Sequence, residues 1–452
     1  MSFTGITRLA LARGMIAILL GSGPVAAAAE PALADCAQNA AFHYWKAASL
    51  IQTPASRDEL EWAGKADFVL SGIAPEIFRS EPELLQWLLS NTAVPAVLNR
   101  ARTCAISEFQ IRTSGDPFLD LSHLPRLRAL TRRAHATAKA YEFVDNEPGA
   151  AAIHVALLKM VQHLDQDRNV VSGSVATELL DLNFTQLESF LSRSQSADAL
   201  APLVEYFSAL PSPVFHPDKY LRDESRRFSD WLLADPARPE ERLNRLYRNT
   251  KSKPAIERLM TLDPQRKKER LKGWVNDYRE RMLELADAMD LPFASGLPRI
   301  RSLDEQRETS SSSASGSRDN PLVPLLVPAG TDLYERFLLA EAQFGMLQIL
   351  CAAAACRAET GFWPADIDAV SRHARQTMPK DPFSGEKFYY RLDRGMPVMI
   401  TRVPKKMLSE KKQSHSVSLH QRLRSDEDNT ADMRKSIRDK EVRAMNERVP
   451  MQ

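Results

Sequence analysis

The stretch that most constrains this chain runs from Asp332 to about Thr401. An apolar run leads there into Gly361-Phe-Trp-Pro364 and then Lys380-Asp-Pro-Phe-Ser-Gly-Glu-Lys-Phe-Tyr-Tyr-Arg391. Leu333, Phe337, Ala340, Phe344, Leu347, Cys351, Ala354 and Ala358 recur at alternating steps of four and three, which lines one stripe of an α-helix. Asp332 with Glu335 has the form of a capping box, so the helix is expected to open there and to run roughly 40 Å. From Met346 to Ala355 every face is apolar, and a helix apolar all round is buried all round. Gly361 suits the left-handed residue that ends a helix, and Pro364 prevents continuation. Beyond it Phe388, Tyr390 and Leu392 alternate with Tyr389 and Arg391 as a half-buried strand does, Asp393-Arg-Gly395 reads as a turn, and Val398-Met-Ile400 as a return strand. Trp363, Phe383 and Tyr389 are the expected miniature core of this cap, with Asp381 accepting from the backbone of its own turn beneath Ser384 and Gly385.

The order of long helix, Gly-x-x-Pro, short helical segment, Pro-x-Asp-Pro-Phe-Ser-Gly and strand ending in Tyr-Arg resembles the C-terminal region of the type II secretion major pseudopilins over residues 333–402. The same residues are similar, more closely, to the C-terminal module of an uncharacterised family of helical bacterial envelope proteins with an Asp-Pro-Phe-Ser-Gly signature. The pseudopilin likeness implies a fold and no metal ligands. Those proteins carry a prepilin peptidase site and membrane helix directly before the module, and a Gly- and Asp-rich calcium loop after the strand. Neither has a counterpart here, Asp393-Arg-Gly-Met-Pro397 standing at the second place.

At 452 residues the chain exceeds what one core usually serves, so two domains with appendages are expected. Its formal net charge of +2 gives no global drive toward nucleic acid or acidic lipid. Residues 1–34 read as an export signal: Arg8 and Arg13, an apolar core from Met15 to Leu20, a break at Gly21 to Pro24, and small residues suited to cleavage after Ala29 or Ala34. The apolar run is short for a membrane span. Leu33-Ala-Asp-Cys36 has the outline of a lipoprotein box, with Asp35 where that signal wants a small residue. An uncleaved anchor and a buried N-terminal helix are the other readings. The expected location is therefore periplasmic or secreted, membrane-anchored if the signal stays. In an oxidising compartment Cys36, Cys104, Cys351 and Cys356 allow two bridges. Cys351 and Cys356 stand about 140° apart on one helix and cannot join without breaking it. Cys36 with Cys104 is the pair to expect, against four reduced, buried cysteines.

From Asn39-Ala-Ala-Phe-His-Tyr-Trp to about Leu291 helix follows helix. Leu121, Leu124, Leu127, Thr131, Ala134, Ala138 and Tyr141 form one stripe. After Asp145-Asn-Glu-Pro-Gly149, Ile153, Leu157, Met160, Val161 and Leu164 form the next, and small residues at Ala134, Ala138, Ala152 and Ala156 let an antiparallel hairpin close. No copy recurs at a fixed period, so an irregular helical array is expected rather than a solenoid. The opening pattern and this array also resemble what the envelope family shows before its Asp-Pro-Phe-Ser-Gly module. In Leu271, Trp274, Tyr278, Met282, Leu285 and Met289 the helical spacing returns beside Lys267, Lys268, Arg270, Arg279 and Arg281. Interleaved Glu269, Asp277, Glu280 and Glu284 mark that basic face as solvated rather than nucleic-acid-binding. Thr309 to Ser317 is serine-rich and reads as a flexible linker. After Pro404, Lys405, Lys406, Lys411 and Lys412 open a charged tail with almost no aromatics.

The expected fold class is mainly α: helix hairpins in an irregular array, then a small α+β pseudopilin-like module of one long helix and a short β-hairpin. The expected division is a signal over 1–34, a helical domain over 35–295, a linker over 296–328, the module over 329–404 and a disordered tail over 405–452. No Gly-x-Ser-x-Gly, phosphate-binding loop, dinucleotide fingerprint, His-Glu-x-x-His or Cys-x-x-Cys occurs. No catalytic, cofactor-binding or metal-ligating residue is assigned, and no cofactor. His154 and His163 point to opposite sides of one helix, and His123 and His135 read as packing residues of its partner. Asp366 and Asp368 beside Trp363 read as the first turn of a short helix, where the dipole favours acids, before a carboxylate pair at a sugar platform. The expected function is binding or scaffolding in the cell envelope with a protein partner. The alternatives are an enzyme of unrecognised class with its site in the helical domain, and a component of a secretion or pilus-like assembly. Membrane contact, if any, would come through the N-terminal segment or the basic tail.

Overall fold

The computed structural model describes residues 38–52, 69–70, 74–109, 121–235, 240–247, 253–312 and 320–401. The expected signal, Cys36 and the charged tail lie outside them. Helices α1 (Ala40–Gln52), α2 (Ala74–Ser80), α3 (Pro82–Ser90) and α4 (Ala93–Ala101) lead into α5 (His123–Phe143), α6 (Glu147–Asp165) and α7 (Val170–Arg193). Next come α8 (Ala197–Ser208), α9 (Pro217–Leu233), α10 (Glu240–Tyr247), α11 (Lys253–Met260), α12 (Pro264–Met289) and α13 (Phe293–Ser312). The chain then forms α14 (Leu322–Leu326), α15 (Gly330–Thr360), α16 (Ile367–Ala374) and the strands β1 (Tyr389–Asp393) and β2 (Met396–Ile400). The protein is mainly α with one small antiparallel hairpin.

Local chemistry sets the boundaries. The expected hairpin forms as α5 and α6, Asn146 capping α6 by accepting the Gly149 amide at 3.1 Å. Asn169, Ser196 and Asp263 do the same for α7, α8 and α12, each supplying an acceptor to an amide with no intrahelical partner. Helix α15 starts two residues before the capping box expected at Asp332. Asp304, from α13, accepts the amides of Gly330 and Thr331 with its two oxygens at 2.8 Å each, a cap that sequence spacing cannot show. At the far end Gly361 takes φ 83°, the left-handed residue expected there. The β-hairpin turns on Arg394 and Gly395, both at positive φ, the pattern of a type I′ turn.

Helix α15 is the axle. By length and composition the stretch 322–360 could cross a membrane, yet most of it is buried, and it packs against α7, α8, α13 and α16. One contiguous apolar cluster runs from Ala40 to Met399, and a smaller satellite joins α2 and α3 to Ala136 and Ala140 of α5. Close approach depends on small residues: a Cβ at Gly173 of α7 would lie 2.6 Å from the Tyr220 ring and 3.0 Å from Phe337. At Gly345 it would meet Phe388 at 2.8 Å.

The structure departs from the expected linker over 296–328. Residues 293–312 are helix α13, whose Leu297 and Ile300 enter the common core, and α14 adds Leu322 and Leu326. Only 313–319 of that stretch lies outside the described residues. The serine-rich composition concealed an apolar stripe at its start, and α15 buries its alanine-rich half among body helices instead of within a separate cap. In the hairpin, Phe388 and Phe383 are buried while Tyr389 is 44% exposed. Phe388, not Tyr389, therefore belongs to the miniature core, since adjacent strand residues face opposite ways.

Candidate functional site

Three polar clusters and one exposed tip are candidates. In the first, the Tyr44 hydroxyl meets His163 Nδ1 at 2.8 Å, and His163 Nε2 lies 3.1 Å from the carbonyl of Cys104. A carbonyl only accepts, so Nε2 carries the proton and Nδ1 receives the phenol's. Burial, with Lys159 nearby, pushes His163 down to about 4. This is a neutral, saturated histidine joining α1, α6 and the 102–109 segment. Tyr44→Phe leaves Nδ1 buried without a donor and is expected to cost about 1–2 kcal/mol in urea unfolding at neutral pH.

The second cluster lies where α5, α6 and α7 meet. Glu142 Oε2 is 3.2 Å from Lys139 Nζ and accepts from Arg193, while Oε1 is 3.9 Å from His154 Nε2. His135 Nε2 meets Asn183 Oδ1 at 2.7 Å, and its ring lies 5.5 Å from that of His154. Burial acts to raise the Glu142 carboxyl, but the Lys139 ammonium, His154 and Arg193 outweigh it and hold it at about 2. Burial lowers both His135 and His154, so both rings are neutral at pH 7. Lys139, His135 and His154 are all buried, which makes the cluster an internal tie.

The third is nearer solvent. Asp165 ends α6; it accepts the Tyr220 hydroxyl and, at 3.4 Å, the His216 amide, and its second oxygen lies 3.6 Å from His216 Nδ1. Glu341 of α15 accepts the Phe215 amide. Burial raises Glu341 to about 7, against the pull of the Phe215 and Val214 amides and with the Asp165 carboxylate adding to the rise. His216 is raised foremost by its bond to Asp165. With the side chains of His216 and Asp165 27% and 17% exposed, the cluster combines a carboxyl poised near neutrality, an imidazole and a phenol. Such groups can pass protons.

The fourth candidate is the tip where α15 ends. Phe362 is 80% exposed, yet its backbone is fixed. The Thr360 hydroxyl accepts the Phe362 amide at 3.3 Å and donates to the Cys356 carbonyl at 2.7 Å. Next to it Trp363 is covered by the Arg357 guanidinium, 4.1 Å from the ring centroid, and Tyr390 Oη donates to the Pro364 carbonyl at 3.0 Å. Asp381 braces the loop behind as expected, accepting from the Phe383 amide at 3.1 Å, and also from Thr401 Oγ1 at 2.9 Å. Asp366 caps α16 through the Ala369 amide, and Asp368 pairs with Lys387 at 2.6 Å. Those two acids thus have the helix-start roles expected of them.

A cleft of about 310 Å³ lies beside the start of α15, rimmed by Arg301, Glu305, Glu308 and Asp332. The helix amides that would draw an anion there are already taken by Asp304. No group of His, Cys, Asp and Glu able to hold a metal occurs among the described residues; Cys351 and Cys356 are buried free thiols, and Cys104 is buried. Sequence reasoning placed the histidines as packing residues but missed their carboxylate and phenol partners, which come from other helices tens of residues away. Comparison with known protein families, characterised proteins and solved structures finds no match.

Proposed function

We propose that the protein is an exported, non-catalytic helical component of the cell envelope that holds another protein. The observation that carries this reading is Phe362, a large apolar side chain in solvent on a backbone fixed by Thr360 and braced by the Arg357–Trp363 stack. Aromatic anchors on pre-ordered backbone dominate binding energy at interfaces because little entropy is lost on docking. The export signal read over residues 1–34 supports a partner in the envelope. A photo-crosslinking phenylalanine analogue at position 362 is expected to give one discrete protein adduct in intact cells. The same analogue at exposed Arg391 on β1 is expected to give none. Equal adducts at both positions, or none at 362, would overturn the reading. A phosphatase fused after Thr401 and active only outside the cytoplasm would test export separately.

A second reading, an enzyme of unrecognised class, is favoured by the Asp165, His216, Tyr220 and Glu341 cluster, which reaches solvent through His216 and Asp165. A third, a component of a secretion or pilus-like assembly, rests on the succession of long helix, Asp-Pro-Phe-Ser-Gly loop and hairpin. It differs from the first in that its adduct at position 362 would be an assembly subunit.

A further inference from the structure

The start of α1 is fixed against the segment that follows α4 at three points. Asn39 and Ile106 form a parallel bridge, in which the Ala40 amide donates to the Ile106 carbonyl at 2.8 Å. Asn39 also makes a two-way contact with Glu108, its Oδ1 accepting the Glu108 amide at 3.0 Å and its Nδ2 donating to the Glu108 carbonyl at 3.2 Å. One turn into α1, Tyr44 stacks on Phe109 with ring centroids 5.8 Å apart. Cys104 is held as firmly: its amide donates to the Ala101 carbonyl at 3.1 Å, and its own carbonyl accepts from His163. The two stretches therefore meet side by side, running in one direction. Three residues back from Asn39 stands Cys36, just outside the described residues, and two back from Ile106 stands Cys104.

We propose that Cys36 and Cys104 join in a disulfide that staples the approach to α1 onto the end of α4. Neighbouring parallel strands lie about 4.8 Å apart and rise about 3.3 Å per residue. At the offset of the Asn39–Ile106 bridge, Cys36 falls one residue from the place opposite Cys104. The two Cα atoms then come within about 6 Å, inside the span of about 4.4–6.8 Å that a disulfide takes. Cys351 and Cys356 are buried in α15, whose main packing partners are α7, α8, α13 and α16 rather than α1 or α4. The bond forms by exchange with a disulfide oxidant: one cysteine thiolate attacks it and expels a thiol, and the second attacks the mixed disulfide and expels the other. Two S–H bonds are lost and one S–S bond is made, the oxidant taking up two electrons and two protons as two thiols. Cleavage of the signal after Ala29 or Ala34 leaves Cys36 on the mature chain. A sulfur committed to this bond carries no glyceryl lipid, so the assignment chooses the staple over the lipoprotein reading of Cys36. The bond closes a loop of roughly 70 residues around α1 to α4, and long loops lose the most freedom in the unfolded chain. The proposal rests on the export reading only for the supply of oxidant.

Peptide mapping without reduction tests it on the full chain in two settings. In the first, reduced purified protein is equilibrated with glutathione and glutathione disulfide, then alkylated with N-ethylmaleimide. One cross-linked pair carrying Cys36 and Cys104 is expected, with Cys351 and Cys356 alkylated once the chain is unfolded. Alkylated or glutathione-bearing Cys36 and Cys104, or a link from either to another cysteine, would overturn the proposal. In the second, thiols are trapped by acid and alkylation in intact cells before lysis. The same pair found there supports staple and export together. The pair formed with glutathione but reduced in cells supports the staple and counts against export, so the two failures are told apart. A glyceryl lipid on Cys36 would overturn the staple. Cys36→Ala is expected to lower the thermal midpoint of the oxidised protein by on the order of 5 °C and to leave that of the reduced protein unchanged. If that variant fails to fold, reduction of the wild type gives the same comparison, and equal midpoints for its oxidised and reduced forms would overturn the staple.

Discussion

Glu142→Gln is expected to lower the free energy of unfolding by about 3–5 kcal/mol, measured in urea at neutral pH, although it changes almost no volume. The carboxylate sits between Lys139, Arg193 and His154, and the Lys139 side chain is only 9% exposed. Neutralising the one anion leaves a buried ammonium without compensation, while Arg193 can turn to solvent. A second substitution, Lys139→Met, should recover much of the loss, because removing both members of a buried pair is often close to neutral. A single-variant loss under about 1 kcal/mol would show the pair to be solvated in solution.

Glu142 and His163 fix the sign of the acid response. Glu142, held at about 2 when folded, contributes stability present above the ordinary carboxyl range and lost as pH falls toward that value. His163, held at about 4, contributes stability present above its ordinary 6.5 and lost as pH falls through 4. Glu341 works the other way between about 4.5 and 7.

The second large effect is expected at Arg357→Met, at about 3 kcal/mol. The guanidinium donates to the carbonyls of Ser192 at 2.7 Å and Leu191 at 3.3 Å and to that of Ser194, while lying over Trp363. Those carbonyls end α7 and have no intrahelical donor. Methionine keeps the apolar stem but supplies no N–H, so the cost isolates the guanidinium. Because α15 also packs along α7, with Gln343 donating to Asp181 at 2.9 Å, and the apolar cluster is continuous from body to hairpin, thermal unfolding should remain a single transition at a lower midpoint. Two transitions, the first confined to the hairpin, would show that cap and body fold apart.

Much of the fold was legible from spacing alone. The stripe from Leu333 to Ala358 gave α15, Asp145-Asn-Glu-Pro-Gly149 gave the turn between α5 and α6, and Asp393-Arg-Gly395 gave the hairpin turn. These are local matters, settled within a turn or two of chain. The helix from Phe293 was missed because serines dominate the composition of 309–317, while Leu297 and Ile300 supply too short a stripe to stand out. The clusters were missed for another reason. Tyr44 finds His163, and Asp165 finds Glu341 and His216, across separations in sequence that no periodicity records.

What the sequence determined by itself is helix content, the buried axle, the left-handed stop at Gly361 and the order of elements after it, because backbone hydrogen bonding and side-chain periodicity act at short range. Tertiary structure alone decided that Asp304 caps α15, that Arg357 closes α7, and that Glu142 and Glu341 are driven in opposite directions. A carboxyl group's charge depends on which distant helices exclude water from it and which cations they bring, and both are set only when the helices pack.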